Sequence, residues 1–231
     1  AYTVPFKESC PEALLQHVWM NEGAYWSTAQ SCYQPVCMPQ DDDQGMFYLE
    51  PFLAKENNLL LSGKILIPES DKVGLSFYYC GTTDDLFDLA PTVRIPSGET
   101  YYLTEPIHTN SVGTGWQRVF VSLAQFKGKV VQVGVNVNAR SQQDYFLLDN
   151  IEVREFLGHD VAVAGLTTPA TMTVGVDNKV TATITNMGTH DADNIAVQLL
   201  SDNDVVETVN IEHLAVSAKQ TVEITVRPTV T

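Results

Sequence analysis

Apolar and polar positions alternate along most of this chain with a period of two residues. The clearest case is residues 130–138, where valines at positions 131, 133, 135 and 137 alternate with Gln, Gly and Asn. Because successive side chains of a strand point to opposite faces of a sheet, this pattern predicts a half-buried strand. The same alternation marks residues 59–68, 74–80, 116–123 and 146–156. Short strands separated by turn residues predict a β-sandwich or jelly roll.

One segment departs from this period. Residues 11–20 begin with a proline, and Leu14, Leu15 and Val18 follow at the spacing of one helix face. Proline is favoured in the first turn of a helix, so we predict a short helix here.

The amino-acid composition of the chain changes after Phe156. Residues 160–231 are rich in Val and Thr and contain no Phe, Tyr or Trp. Strand-like segments within this region lie at residues 160–166, 179–186, 195–201, 205–211 and 221–226, with turn signals between them. We therefore predict an all-β chain of two domains, a jelly-roll β-sandwich at residues 1–157 followed by a smaller immunoglobulin-like β-sandwich at residues 158–231.

Three segments of the first domain carry a family resemblance. Residues 4–8 (VPFKE), 116–121 (WQRVFV) and 146–153 (FLLDNIEV) resemble the MAM-like and cleaved-adhesin (choice-of-anchor J) jelly rolls. Those domains occur in secreted proteins of anaerobic bacteria, including the adhesin regions of gingipain proteases. The resemblance implies a secreted or cell-surface location and a binding role.

A second resemblance covers the second domain. Residues 159–163 (HDVAV) and 180–188 (VTATITNMG) look like the CARDB domain, a cell-adhesion-related domain found in bacteria. The chain departs from that family at Ala218, where a turn glycine often precedes the last strand. The resemblance implies an immunoglobulin-like spacer.

The first resemblance also implies a structural calcium ion. Its matching ligand positions are Glu8, Asp41, Asp43 and Asp149, and calcium takes six to eight oxygen ligands. Asp149 lies among apolar residues of a predicted strand, where a carboxylate is costly unless it is paired or bound to metal. The alternative is that Asp149 is a hydrogen-bonded turn residue and that Asp41 and Asp43 belong to a solvated loop.

The candidate ligand-binding residues are aromatic and polar side chains near predicted turns. Tyr101 and Tyr102 follow a Pro-Ser-Gly turn, and flat rings can pack against the C–H faces of a sugar. Asn138 and Arg140 precede the last strand of the domain and could hydrogen-bond a glycan. These residues predict a glycan or a host protein as the partner.

The four cysteines all lie within the first 80 residues of the chain. Cys32 and Cys37 flank Pro35, so a disulfide could close a small loop between them, which leaves Cys10 and Cys80 as a second pair. The alternative is four reduced thiols. Paired CxxC units are absent, so a zinc site is not expected.

Charge and missing motifs exclude several classes of function. The formal net charge is −15, which repels nucleic acid, and no apolar run is long enough for membrane insertion. A nucleophile elbow, a P-loop and an H-E-x-x-H motif are all absent. We therefore expect no catalysis by these residues.

The predicted function is a non-catalytic adhesion or accessory binding region of a larger secreted or cell-surface bacterial protein. Its neighbours would then be other domains of the parent chain. Two alternatives remain open. The domains could be structural linkers of a secreted multidomain enzyme such as a peptidase, or the chain could be a glycan-processing enzyme, which requires two carboxylates in one cleft.

Overall fold

The computed structural model describes residues 1–23, 26–33, 36–40, 45–49, 57–81, 87–108, 115–139, 145–169, 171–201 and 204–228. The chain divides into two compact units, Ala1–Glu155 and Phe156–Thr231, two residues before the predicted boundary. The regular structure described is strand, apart from short 3-10 turns such as Pro11–Ala13 and Ala124–Phe126, which confirms the predicted all-β class. Within these ranges, no helix has the length and apolar character that crossing a membrane requires.

The first unit contains sixteen strands within the described ranges. They are β1 (Tyr2–Thr3), β2 (Phe6–Glu8), β3 (Trp19–Glu22), β4 (Trp26–Ala29), β5 (Cys32–Tyr33), β6 (Val36–Cys37), β7 (Met46–Leu49), β8 (Asn58–Ser62), β9 (Ile65–Leu66), β10 (Val73–Gly81), β11 (Phe87–Arg94), β12 (Thr100–Tyr102), β13 (Ile107–His108), β14 (Gln117–Ser122), β15 (Val130–Ala139) and β16 (Phe146–Glu155).

Two sheets form the sandwich of the first unit. One sheet has the order β1-β9-β15-β11-β12, with β8 also pairing β15, β3 pairing β8 and β13 pairing β11. The other has the order β14-β10-β16-β7-β4, with β2 pairing β16. Strands β5 and β6 form a separate two-stranded ladder.

The core of the first unit lies between these sheets and is rich in aromatic residues. Alternation places the valines of β15 on the inner face of one sheet, and the other sheet contributes Leu75, Phe77, Leu148 and Val153. A smaller cluster covers the outer face of the second sheet and contains Met46, Cys80 and Leu147. Cys10 packs in the main core, so it and Cys80 lie in different clusters.

The predicted helix at residues 11–20 is wrong. Only Pro11–Ala13 form a 3-10 turn, and Leu14, Leu15 and Val18 are exposed. The backbone N–H groups of Gln16 and His17 donate to the carboxylate of Glu8. In a continuing α-helix they would instead donate to carbonyls four residues earlier.

The second unit contains five strands within the described ranges, and its core is aliphatic. The strands are β17 (Val161–Thr167), β18 (Asn178–Asn186), β19 (Ala192–Ser201), β20 (Asp204–Leu214) and β21 (Lys219–Val226). They form a three-stranded sheet β17-β18-β21 and a two-stranded sheet β19-β20. The buried side chains between them are Ala182, Ile184, Val197, Ile211, Leu214, Val222 and Ile224.

Asn186, in the motif that carries the CARDB resemblance, has a structural role. Its fully buried amide donates to the carbonyls of His190 and Leu214 and accepts from the N–H of Gly188. One side chain therefore joins the turn after β18 to the end of β20. The turn before β21 forms although Ala218 is not glycine, because Ser217 adopts the left-handed conformation with φ 63°.

Candidate functional site

A groove lies on the outer face of the β15–β11 sheet. The valines of β15 point into the core, so Asn136 and Asn138 point outwards, and their register partners on β11 are Ala90 and Asp88. The groove has a volume of about 580 Å³. Its main polar side chains are Asn57, Asp88, Tyr102, Glu105, Asn136 and Asn138.

The amide of Asn136 lies at the floor of this groove, and only its NH₂ group has a hydrogen-bond partner in the described part of the chain. Its Nδ2 atom donates to Oδ1 of Asn57 at 3.1 Å and lies 3.5 Å from the hydroxyl of Tyr102. The Oδ1 atom is buried and has no hydrogen-bond partner among the described residues. Asn136 is 9% exposed, so the floor of the groove contains a buried acceptor that the described residues leave unsatisfied.

The rim of the groove is acidic. Asp88 pairs with Nδ1 of His108, its register partner on β13, and Glu105 adds a second carboxylate. The lining as described includes no Lys or Arg. Such a rim repels anionic ligands and suits neutral polar ones.

An ion pair, which we call the crossbar, lies on the same face of the sheet. Nη1 and Nη2 of Arg94 donate to the two carboxylate oxygens of Glu22 at 2.5 and 2.8 Å, and Nε of Arg94 donates to Thr100. The hydrogen bond from Arg94 lowers the pKa of Glu22, and the same bond raises the pKa of Arg94. The pair therefore stays charged over a wide pH range.

The two adjacent tyrosines of β12 point to different places. Tyr102 lines the groove, whereas Tyr101 borders a second cavity of about 460 Å³. The rings of Tyr101 and Phe126 pack in a T-shaped arrangement with their centroids 5.9 Å apart. A hydrogen bond to Glu99 raises the pKa of the Tyr101 hydroxyl. The sequence therefore predicted one ligand-binding pair where the structure has two separate surfaces.

Glu8 is buried in a nest of N–H donors. Its carboxylate accepts hydrogen bonds from the backbone of Cys10, Gln16 and His17 and from the indole of Trp19, at 3.0–3.1 Å. Calcium requires oxygen ligands, and these neighbours present hydrogens. The surroundings of Glu8 therefore fit a hydrogen-bonded carboxylate and do not fit the predicted calcium ligand.

Asp149 is also fully buried and holds a different segment. Its Oδ2 accepts from the N–H of Gln40 at 2.8 Å, and its Oδ1 accepts from the N–H of Asn150 at 2.7 Å. Asn150 has φ 48° and lies where the pairing of β10 with β16 shifts register. Asp149 thus holds the backbone of Gln40 beside a β-bulge.

The remaining predicted residues fall beyond what the structure describes. Asp41, Asp43 and Arg140 lie outside the described residues, and so do the side chains of Cys32 and Cys37, whose backbones pair as register partners. Among the described residues, no group of three or more His, Cys, Asp or Glu side chains could hold a metal ion. The calcium and disulfide hypotheses stay predictions.

Two of the residues predicted to bind a ligand, Tyr102 and Asn138, line this groove, and their role stays a prediction. The other main polar lining residues were not predicted, and they are Asn57, Asp88, Glu105 and Asn136. The available signal was the outward alternation of Asn136 and Asn138 between the valines of β15.

Several solved structures are similar to this chain, each at less than 20% sequence identity. The K1 cleaved adhesin domain of Lys-gingipain from Porphyromonas gingivalis W83 is 17% identical, with a TM-score of 0.44, covering 66% of this chain and 98% of that one. The CBM22-1 xylan-binding domain of Xyn10C from Paenibacillus barcinonensis is 14% identical, with a TM-score of 0.44, covering 65% and 92%. The domain TmCBM61, solved in complex with β-1,4-galactotriose, is 11% identical, with a TM-score of 0.43, covering 59% and 88%.

A search of curated proteins found no match. One family model matches the chain, and it covers most of the second unit. Residues 159–231 match the CARDB family, which confirms the resemblance carried by residues 159–163 and 180–188.

Proposed function

We propose that the first unit is a non-catalytic glycan-binding module of a larger protein displayed outside the cell, and that the second unit is its spacer. The observation that carries this proposal is the Asn136 amide at the floor of the groove. A buried acceptor without a partner costs about 1–3 kcal/mol, and a ligand hydroxyl that donates to it removes that cost.

The chemistry of the groove suits a carbohydrate. Each sugar hydroxyl can donate one hydrogen bond and accept others, and the groove offers carboxylate and amide acceptors together with the amide donor of Asn138. The Tyr102 side chain is 59% exposed, so its ring is available to the C–H face of a sugar. The acidic rim favours a neutral glycan.

The size of the groove favours a glycan over a host protein. Its volume of about 580 Å³ falls within the range of roughly 300–1,000 Å³ typical of small-molecule sites. A stable protein interface buries about 800 Å² on each partner, which calls for a broader surface.

The second unit suits a spacer role. It matches the CARDB family and has a small aliphatic core. The side chain of Asn186, in the matched motif, makes its hydrogen bonds to backbone groups of the unit and leaves none for a ligand. A spacer would hold the glycan-binding unit away from the rest of a secreted or surface protein. The linker-only alternative predicts that neither unit binds any glycan.

One observation bears on the glycan-processing alternative. Asp88 and Glu105 place two carboxylates in the groove, as a glycosidase requires. Asp88, however, already pairs with Nδ1 of His108 across β11 and β13, which gives its carboxylate a structural role. We therefore expect no release of reducing ends from any glycan that binds, measured over many hours at high protein concentration.

A calcium ion remains a proposal without Glu8, and its ligands would be Asp149, Asp41 and Asp43. All three tryptophans belong to the first unit, so their fluorescence reports its unfolding. If the ion is bound, a chelator lowers the melting temperature seen by this signal, and added calcium restores it. An unchanged melting temperature would remove calcium from the proposal.

The direct test is a glycan array probed with the labelled full chain. Wild-type protein should bind a set of neutral glycans, and Asn136→Ala should weaken that binding at least about tenfold, because the lost contact is worth roughly 1.4 kcal/mol. The matched control is Asn210→Ala, an exposed asparagine on β20 of the second unit. Binding that survives Asn136→Ala unchanged contradicts the proposed site, and no binding by wild type contradicts the proposed function.

A further inference from the structure

The crossbar of Arg94 and Glu22 occupies a defined place relative to the groove. On β15, Asn136 pairs with Ala90, whereas Gln132 pairs with Arg94. The row of Arg94 therefore lies four residues, or about 13 Å, along the strand from the row of Asn136.

Glu22 reaches the crossbar from β3, which lies on the other side of β15 within the same sheet. Glu22 pairs with Leu59 on β8, and Leu59 pairs with Asn136, so Glu22 lies in the row of the groove floor. Its ion pair with Arg94 must therefore run diagonally over the intervening strands β8 and β15. Glu22 and Arg94 are three strands and four residues apart, so their direct contact spans the face of the sheet between them.

The row beneath this diagonal is covered. It contains Leu61, Gly134 and Thr92, which pair side by side across β8, β15 and β11. Leu61 and Thr92 are 0% exposed, although alternation turns them away from the core. Gly134 has no side chain, and a Cβ there would collide with the carbonyl oxygen of Leu60 on β8. The open groove therefore stops at this row.

The crossbar is well held. Arg94 makes a two-point contact with the carboxylate of Glu22 and a third contact with Thr100, and its side chain is 18% exposed. Bidentate pairs of this kind fix geometry as well as charge. A ligand chain that continued past Gly134 would have to displace this contact.

We propose that the Arg94–Glu22 crossbar closes one end of the groove, so that the chain recognises short or terminal oligosaccharides and excludes the interior of long glycan chains. This inference rests on the proposed glycan-binding function. It makes Arg94 and Glu22 determinants of ligand length without a direct role in holding the sugar over Asn136.

The test is calorimetric titration with xylo-, manno-, gluco- and galacto-oligosaccharides of two to six units. For wild type, affinity should stop rising after the first few units. The double variant Arg94→Ala/Glu22→Ala removes both charges together, and its affinity should continue to rise, with a gain of about tenfold for the hexasaccharide over wild type. The control Lys127→Ala/Asp71→Ala removes a remote exposed ion pair and should behave as wild type.

Tryptophan fluorescence melts verify that each variant is folded. Should the alanine pair unfold, Arg94→Gln/Glu22→Gln keeps the side-chain length and removes the ion pair. Equal length dependence in wild type and a folded variant overturns the crossbar inference and leaves the groove intact. Wild-type affinity that rises steadily to six units also overturns it. Failure of wild type to bind any member of the four series counts against the proposed function, and the inference falls with it.

Discussion

Glu8 and Asn136 are both buried polar side chains of the first unit, yet their hydrogen-bonding states are opposite. The carboxylate of Glu8 receives N–H groups from four residues, whereas Oδ1 of Asn136 has no partner in the part of the chain described. Glu8 points into the sandwich beside a loop that it organises. Asn136 points into an open groove.

The difference separates a structural polar group from a binding one. A buried group whose bonds are all made within the protein holds the fold, and a ligand can gain nothing from it. A buried group with a bond still to make is a place where a ligand adds stability. The family resemblance predicted Glu8 as a site residue, whereas the unsatisfied acceptor indicates Asn136.

The largest expected effect is on Glu8. Glu8→Gln would turn an amide NH₂ towards N–H donors and should lower the free energy of unfolding of the first unit by about 3 kcal/mol. Urea denaturation followed by tryptophan fluorescence measures this loss. The control Glu12→Gln makes the same change at an exposed residue of the same loop and should stay within about 0.5 kcal/mol of wild type. Equal stability of the two variants would mean that the Glu8 contacts do not hold the loop.

The second unit offers a parallel in Asn186, another fully satisfied amide. Asn186→Leu leaves the carbonyls of His190 and Leu214 without their donor and should cost about 2 kcal/mol. Scanning calorimetry resolves the transition of this unit, which has no tryptophan. Asn210→Ala is again the control, and glycan binding by the first unit should not change. A transition that stays in place would show that Asn186 is dispensable.

Asn136→Ala should show the reverse profile. Binding should fall about tenfold, while stability should remain within about 1 kcal/mol of wild type, because the substitution also removes an unsatisfied buried oxygen. The same fluorescence measurement gives the stability. A loss as large as that of Glu8→Gln would place Asn136 among the structural residues and end the contrast between them.

The smallest effect concerns pH and the second unit. The hydrogen bond to Asp193 raises the pKa of His213, and Asp191 and Asp193 add attraction for its charged form. A raised pKa in the folded state stabilises the fold below the unfolded value of about 6.5, and this contribution is lost as pH rises through the folded pKa. The calorimetric transition should therefore move down slightly between pH 6 and pH 8. His213→Gln should abolish that shift, and a shift that persists in the variant must come from another group.

The alternation of apolar and polar residues predicted strands such as β15, in which one residue type fills a whole face. The valines of β15 reveal both its inner face and the outward position of Asn138. Strand β11, which forms the other half of the groove, was not predicted, and Pro91 in its middle explains why, since proline argues against a central strand.

The rest of the site depends on contacts that local sequence does not contain. Whether Asn136 is satisfied depends on Asn57 and Tyr102, which are 79 and 34 residues away in the chain. The helix prediction at residues 11–20 failed for the same reason. A carboxylate eight and nine residues earlier captured the N–H groups that a helix would have used.

The pairing of β2 with β16 also affects how the first unit is made. Phe6–Glu8 lie beside Ile151–Val153, so strands more than 140 residues apart in the chain must meet before the sheet is complete. On a ribosome, the first unit therefore cannot close until nearly all of it has emerged, and its distant contacts predict slow folding. The second unit contains the hairpin β19–β20, which can form as soon as its two strands exist.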